Sequence, residues 1–156
     1  MTKKQADLLE IAIGIAVKAH NGVMDKSGTP YILHPLTVMH NVEDPYKKMA
    51  AVMHDVVEDT DMELKDLKEL GFPQNVIDMV DSVSRKPDGE TYWEFIARCA
   101  KNPDAIEIKE QDIYHNTSWD RVMLLDDPEK YLSLQKKYGK ALIILRAAKK
   151  ELIEGK

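Results

Sequence analysis

The 156-residue chain has a single cysteine, Cys99, so no disulfide can form within it, and a reducing, cytosolic compartment is the expectation. No apolar run approaches the ~20 residues needed to cross a bilayer. Residues 1–7 lead straight into an amphipathic segment, without the basic head, apolar run and small-residue cleavage site of a signal peptide. Basic charge is not in excess either. The 22 Lys and Arg face 27 Asp and Glu, a net charge of -5, and this argues against a dedicated nucleic-acid binder. A small anionic substrate stays open, because a bound divalent cation and a few local basic side chains can reverse the field inside one pocket. There is no repeat at a solenoid period, no low-complexity linker, no alternating strand and no βαβ rhythm.

What is present is helical periodicity. With 44% hydrophobic residues the chain has material for a core. Leu8, Ile11, Ala12, Ile15 and Ala16 form a stripe that ends near His20, before the breaker Asn21-Gly22 and the polar turn 25–30. Pro35 suits the first turn of a short segment from His34 to His40, and Pro45 opens a helix carrying Met49, Val52, Met53 and Val56, which exits at Thr60-Asp61. Leu64–Leu70, closed by Gly71, follows, and Pro73 starts another helix through Val83. Thr91 and Glu94 make a capping box. Pro103 opens a helix past Ile113, and the last runs from about Pro128 to Ile153, with Gly139 as a point where it could be interrupted. The expected fold is all-α, a single helical domain over residues 1–156 with short connections.

The chemistry gathers around His54-Asp55. Imidazole nitrogen beside carboxylate oxygen suits Mn²⁺, Fe²⁺, Zn²⁺ or Mg²⁺. An isolated His-Asp pair is more often a buried histidine next to a solvated acid. Glu58 and Asp59, one turn on, place acids at what reads as the C-terminal end of an apolar helix, where they oppose the dipole and a cation would relieve them. His34 lies in an apolar stretch, and Asp112 and Asn116 share a helix face. His20 reads as a dipole partner at a helix end, His40 and His115 as peripheral, and Lys136, Lys137, Lys140, Lys149 and Lys150 as a solvated face.

Together the blocks 19–22, 28–35, 53–61 and 108–116 resemble the HD superfamily of metal-dependent phosphohydrolases, over about residues 5–120. They are most similar to the hydrolase domain of the Rel/Spo alarmone family and its free-standing homologues. The resemblance implies an all-α HD-type fold and one divalent ion, Mn²⁺, on His34, His54, Asp55 and Asp112. It implies Glu58 and Asp59 as the catalytic carboxylates, and Lys26, Tyr31, Arg85, Lys86, Lys109 and Asn116 as contacts to a nucleotide, guanosine tetra- or pentaphosphate losing its 3′-pyrophosphate. Asp25 stands where that family often has the first of two basic residues, and Glu110-Gln111 where it has Leu-Ala. Another nucleotide or phosphoester therefore stays open as substrate, as does a non-catalytic nucleotide sensor that keeps the metal site. The enzyme reading is preferred because every ligand position and both acids are present. Oligomeric state is not written in the sequence.

Overall fold

The computed structural model describes residues 1–122 and 127–155, and the described residues form helices joined by short turns. No strand occurs among them, only an isolated bridge between Met24 and Pro30. α1 (Lys3–Ala19) starts at a capping box in which Thr2 and Gln5 exchange hydrogen bonds, and buries Leu8, Ala12 and Ala16. α2 (Leu33–His40) and α3 (Pro45–Val52) follow. Asp44 caps α3 by accepting from the backbone N–H groups of Tyr46 and Lys47, and Pro45 occupies its first turn, where a missing N–H costs nothing.

Met49, Ala50, Ala51 and Val52 are all fully buried. A helix turn apolar on every side belongs in the middle of a core, and α3, whose last turn is of this kind, is packed by α1, α2, α6 (Gln74–Val83) and α8 (Pro103–Asn116). Between them lie α4 (Val56–Asp59), α5 (Leu64–Glu69) and α7 (Tyr92–Cys99), the last opened by the Thr91–Glu94 capping box. α9 (Trp119–Val122) is a single turn. α10 (Pro128–Glu154) matches the helix read from sequence, runs unbroken through Gly139, and packs on α7 and α8 through buried Ala141 and Leu145. A lone glycine costs a helix only about 1 kcal/mol, and this tertiary packing outweighs it.

A correction concerns the centre of the chain. The helix opened by Pro45 does not carry His54-Asp55. It ends at Val52, and residues 53–55 form a turn before α4. The backbone there tightens to three-residue hydrogen bonds, Met53 N–H to Ala50 O, His54 N–H to Ala51 O and Val56 N–H to Met53 O. Glu58 and Asp59 accordingly lie in the four-residue α4 and not at the end of a long helix. The dipole argument for a cation at that end does not hold, because so short a helix has almost no macrodipole.

Candidate metal centre

The tight turn decides where the His-Asp pair points. On a continuous helix adjacent side chains diverge by about 100°; in the turn both face the junction of α2, α3 and α8. Ser84, at the end of α6, donates its hydroxyl to the His54 carbonyl at 3.0 Å and braces the turn from behind. His54 Nδ1 lies 2.7 Å from the Ala51 carbonyl, which can only accept, so that nitrogen carries a proton. His54 Nε2 is left facing inward and buried, 3.0 Å from Asp55 Oδ2 and 3.7 Å from Asp112 Oδ1, with no geometrically sound hydrogen bond among the described residues.

His34 from α2 completes the cluster. Its Nε2 is 3.0 Å from Asp112 Oδ1 and 4.0 Å from Asp55 Oδ2. One donor atom each from His34, His54 and Asp112 falls within 4.8 Å of the others, and all three residues are buried. Two imidazoles and a carboxylate at that spacing form a candidate site for a divalent cation. Asp55 lies at its edge and accepts the Tyr31 hydroxyl at 2.5 Å.

The local charges fit a cation. Burial opposes ionisation of Asp112, but the ammonium of Lys109, a hydrogen bond from His34 and the nearby imidazole of His54 hold its carboxyl well below the usual range. Burial likewise opposes ionisation of Asp55, and His54 outweighs it. His54 shows the reciprocal effect: burial disfavours the imidazolium, yet Asp55 and Asp112 raise its pKa well above the ordinary value. A buried Nε2 between two ionised carboxylates calls for a positive charge, either a proton or a metal ion.

The acidic pair does not act on one partner. Glu58 accepts the backbone N–H of Arg85 at 2.5 Å, whereas Asp59 lies 4.0 Å from His20 Nδ1 with its side chain half exposed. Burial and Asp55 raise the pKa of both acids, with the Arg85 N–H opposing the shift at Glu58 and His20 opposing it at Asp59. Arg85 and Lys86 flank Glu58 around a depression of about 320 Å³. Their polar ends are engaged: Arg85 Nε donates to Glu90 O at 2.7 Å, and the Lys86 ammonium pairs with Asp81. Lys109 turns inward, its Nζ 2.6 Å from Asp112 Oδ2 and 4.8 Å from the Phe95 ring, so it supports a ligand carboxylate and does not reach outward.

A second cavity, of about 380 Å³, adjoins the cluster. Lys26, Tyr31 and Asn116 line it together with Arg121 and Tyr138. Tyr31 and Asn116 also touch the cluster, since Asn116 Nδ2 donates to Asp112 Oδ1 at 2.6 Å and Tyr31 to Asp55. The loop that presents Lys26 and Tyr31 is knotted by Asp25, which accepts from the N–H groups of Ser27 and Thr29, and Gly28 supplies the positive φ of 75° that the turn requires.

Several residues were misread from sequence. His115 is not peripheral: its ring stacks on His34 at 4.9 Å between centroids, with the two Nδ1 atoms 2.6 Å apart. Its position three residues after Asp112 puts it on the same helix face, a signal the sequence contains. Glu110 faces away from the cluster and ties α8 to Arg146 and Lys149 of α10, which explains a polar residue there. Lys137 and Lys140 are not simply solvated, lying 3.9 Å over the Tyr92 ring and 4.4 Å over the Trp93 ring. Cys99 is buried and its thiol is pushed up to about 12 by that burial, which leaves it inert. Among the described residues no helix is long and apolar enough to cross a membrane.

No family model matches the chain. Among known proteins, a GTP pyrophosphokinase of Streptomyces coelicolor is 34% identical over 134 residues, covering 78% of this chain and 16% of that protein. The bifunctional (p)ppGpp synthase/hydrolase SpoT of Escherichia coli is 31% identical over 130 residues, 74% of this chain and 18% of that protein. A guanosine-3′,5′-bis(diphosphate) 3′-pyrophosphohydrolase of Aquifex aeolicus is 30% identical over 129 residues, again covering 74% and 18%. The chain thus spans less than a fifth of the length of these relatives. Its fold matches the solved structure of a metazoan orthologue of SpoT with a TM-score of 0.73 and 24% identity, over 99% of this chain and 94% of the other. By sequence the chain is a homologue of the Rel/Spo proteins, and by fold it is a helical domain of the HD type.

Proposed function

We propose that this chain is a metal-dependent phosphohydrolase that removes the 3′-pyrophosphate from guanosine tetra- or pentaphosphate. The observation that carries the reading is the buried Nε2 of His54, aimed between the carboxylates of Asp55 and Asp112 and beside His34. The substrate is drawn from relatives named for ppGpp synthesis and hydrolysis, and from a structural neighbour described as hydrolysing ppGpp. In this reading the whole chain is one hydrolase domain acting in the cytosol.

His34, His54, Asp112 and Asp55 would hold one divalent ion, with Mn²⁺ as the proposed metal. When bound, the ion supplies Lewis-acid activation of water and neutralises charge on the phosphoryl oxygens. Asn116 and Tyr31 hold the carboxylates of Asp112 and Asp55 in place, while Lys109 balances the charge of Asp112. Glu58 is the proton acceptor, because burial keeps its carboxylate more basic than an exposed one. Water attacks the phosphorus attached to the 3′ oxygen, that P–O bond breaks, and the leaving 3′ oxygen takes up a proton, with Asp59 as the assisting acid. Lys26 lies in the cavity beside the cluster and takes substrate phosphate.

The test is pyrophosphate release from guanosine tetraphosphate by metal-stripped protein reloaded with Mn²⁺, alongside elemental analysis. One ion per chain and pyrophosphate release are expected. Glu58→Gln should lose about 10²–10⁴-fold in kcat while still binding nucleotide. Protein that holds no stoichiometric ion and releases no pyrophosphate would refute the reading. Cleavage of a different nucleotide would overturn the substrate and leave the reaction class standing.

A further inference from the structure

The second cavity carries a cation that the reading so far leaves unused. Arg121 comes from the turn of α9, and its side chain is 22% exposed on the cavity wall beside Lys26, Tyr31 and Asn116. Two groups hold it. One guanidinium nitrogen is 3.6 Å from Asp25 Oδ2, and another is 3.5 Å from His115 Nδ1. Asp25 cannot swing away, because its other oxygen accepts from the Ser27 N–H at 2.9 Å, the Ser27 hydroxyl at 2.5 Å and the Thr29 N–H at 3.0 Å. Arg121 is therefore aimed from both sides.

It is aimed without being saturated. A guanidinium has five N–H donors in a planar fork, and both contacts are longer than the roughly 2.7–3.2 Å of a good N–H···O bond. Among the described residues that line this wall, Asp25 is the one acid beside two cations, Lys26 and Arg121, so the described lining carries more positive than negative charge. His115 joins Arg121 to His34, which puts the guanidinium two side chains out from the metal cluster. It is thus placed for a part of the substrate that does not sit on the metal. A planar donor fork pairs with two oxygens of a phosphate at once, as an ammonium does not.

We propose that Arg121 is a specificity-determining residue, which binds a substrate phosphate other than the one attacked, and that Asp25 positions it. This rests on the reading of the chain as a nucleotide phosphohydrolase. It gives the acidic residue at position 25 a use: the carboxylate aims a cation supplied from the far side of the cavity.

The experiment is calorimetric titration of guanosine tetraphosphate into the Mn²⁺-loaded Glu58→Gln protein, which leaves the nucleotide uncleaved, with and without Arg121→Gln or Arg121→Lys. Metal content and Tm are measured on each. Arg121→Gln should weaken nucleotide binding by about 10–100-fold at unchanged metal content, the range expected for charge-assisted hydrogen bonds. Arg121→Lys keeps the ion pair with Asp25, so it should keep the parental Tm and yet remain several-fold weaker in binding. Unchanged affinity in Arg121→Gln overturns the proposal, as does full recovery of affinity in Arg121→Lys, which would reduce the residue to a structural partner of Asp25. If the parent protein itself binds no guanosine tetraphosphate, the nucleotide reading falls and the proposal with it.

Discussion

Replacing Lys109 with methionine removes a buried positive charge while keeping an unbranched side chain of similar length. The ammonium lies 2.6 Å from Asp112 Oδ2, and the side chain is 11% exposed. Burial alone would push the lysine pKa down, but Asp112 more than compensates and raises it, so the pair is ionised together. Removing one partner of a buried ion pair costs about 3–5 kcal/mol, because the other charge stays behind. Asp112 retains Asn116 and His34 as hydrogen-bond partners, which favours the low end, about 3 kcal/mol. For a chain of this size that is roughly 6–12 °C in Tm. A divalent ion on Asp112 would replace the lost charge, so metal should stabilise Lys109→Met more than the wild type. The assay is thermal melting of both proteins in chelator and in excess Mn²⁺. A variant that melts within about 2 °C of wild type in chelator, against the roughly 6–12 °C expected, would show that Lys109 does not balance Asp112. A gap that metal leaves unchanged would show that no cation joins Asp112.

Two further outcomes test the scaffold. Glu90 accepts from Arg98 Nε at 2.7 Å, Arg98 Nη2 at 2.9 Å and the Lys86 N–H at 2.8 Å, and Arg98 chiefly lowers its pKa to about 2. A depressed acid stabilises fully above its unfolded pKa, about 4.3, and the contribution fades as pH falls toward the folded value. Glu90→Gln should thus cost about 1–3 kcal/mol near pH 6 in urea unfolding, and the difference from wild type should shrink towards zero near pH 2. Leu145→Ala should cost about 2–5 kcal/mol, since Leu145 is fully buried where α10 meets α7 and α8, while Ile143→Ala on the exposed side of the same helix should stay within about 0.5 kcal/mol. Equal effects at the two positions would mean that α10 is not docked as described.

The sequence by itself determined the helical class, most helix starts and the order of the metal-site residues. Those features are local. Thr2 with Gln5, Thr91 with Glu94, and Asp44 before Pro45 each satisfy N–H groups within one turn of themselves, so the signal and its effect lie in the same few residues. Only the tertiary structure decided what the side chains face. Helical periodicity runs smoothly across Val52 to Val56, and nothing local marks the turn that swings His54 and Asp55 towards one point; the packing of α3 among its neighbours and the Ser84 brace select it. Glu58 and Asp59 read as a pair, yet their surroundings, the Arg85 loop and His20, come from opposite directions in the chain. Lys109 looks like a substrate contact and turns inward, because the charge that needs it is on Asp112 of its own helix. Asp25 and Arg121 are far apart in sequence, and no periodicity joins them. Their meeting depends on how the loop after α1 and the turn after α8 close over one cavity, which is decided by the packed helices and not by any local preference.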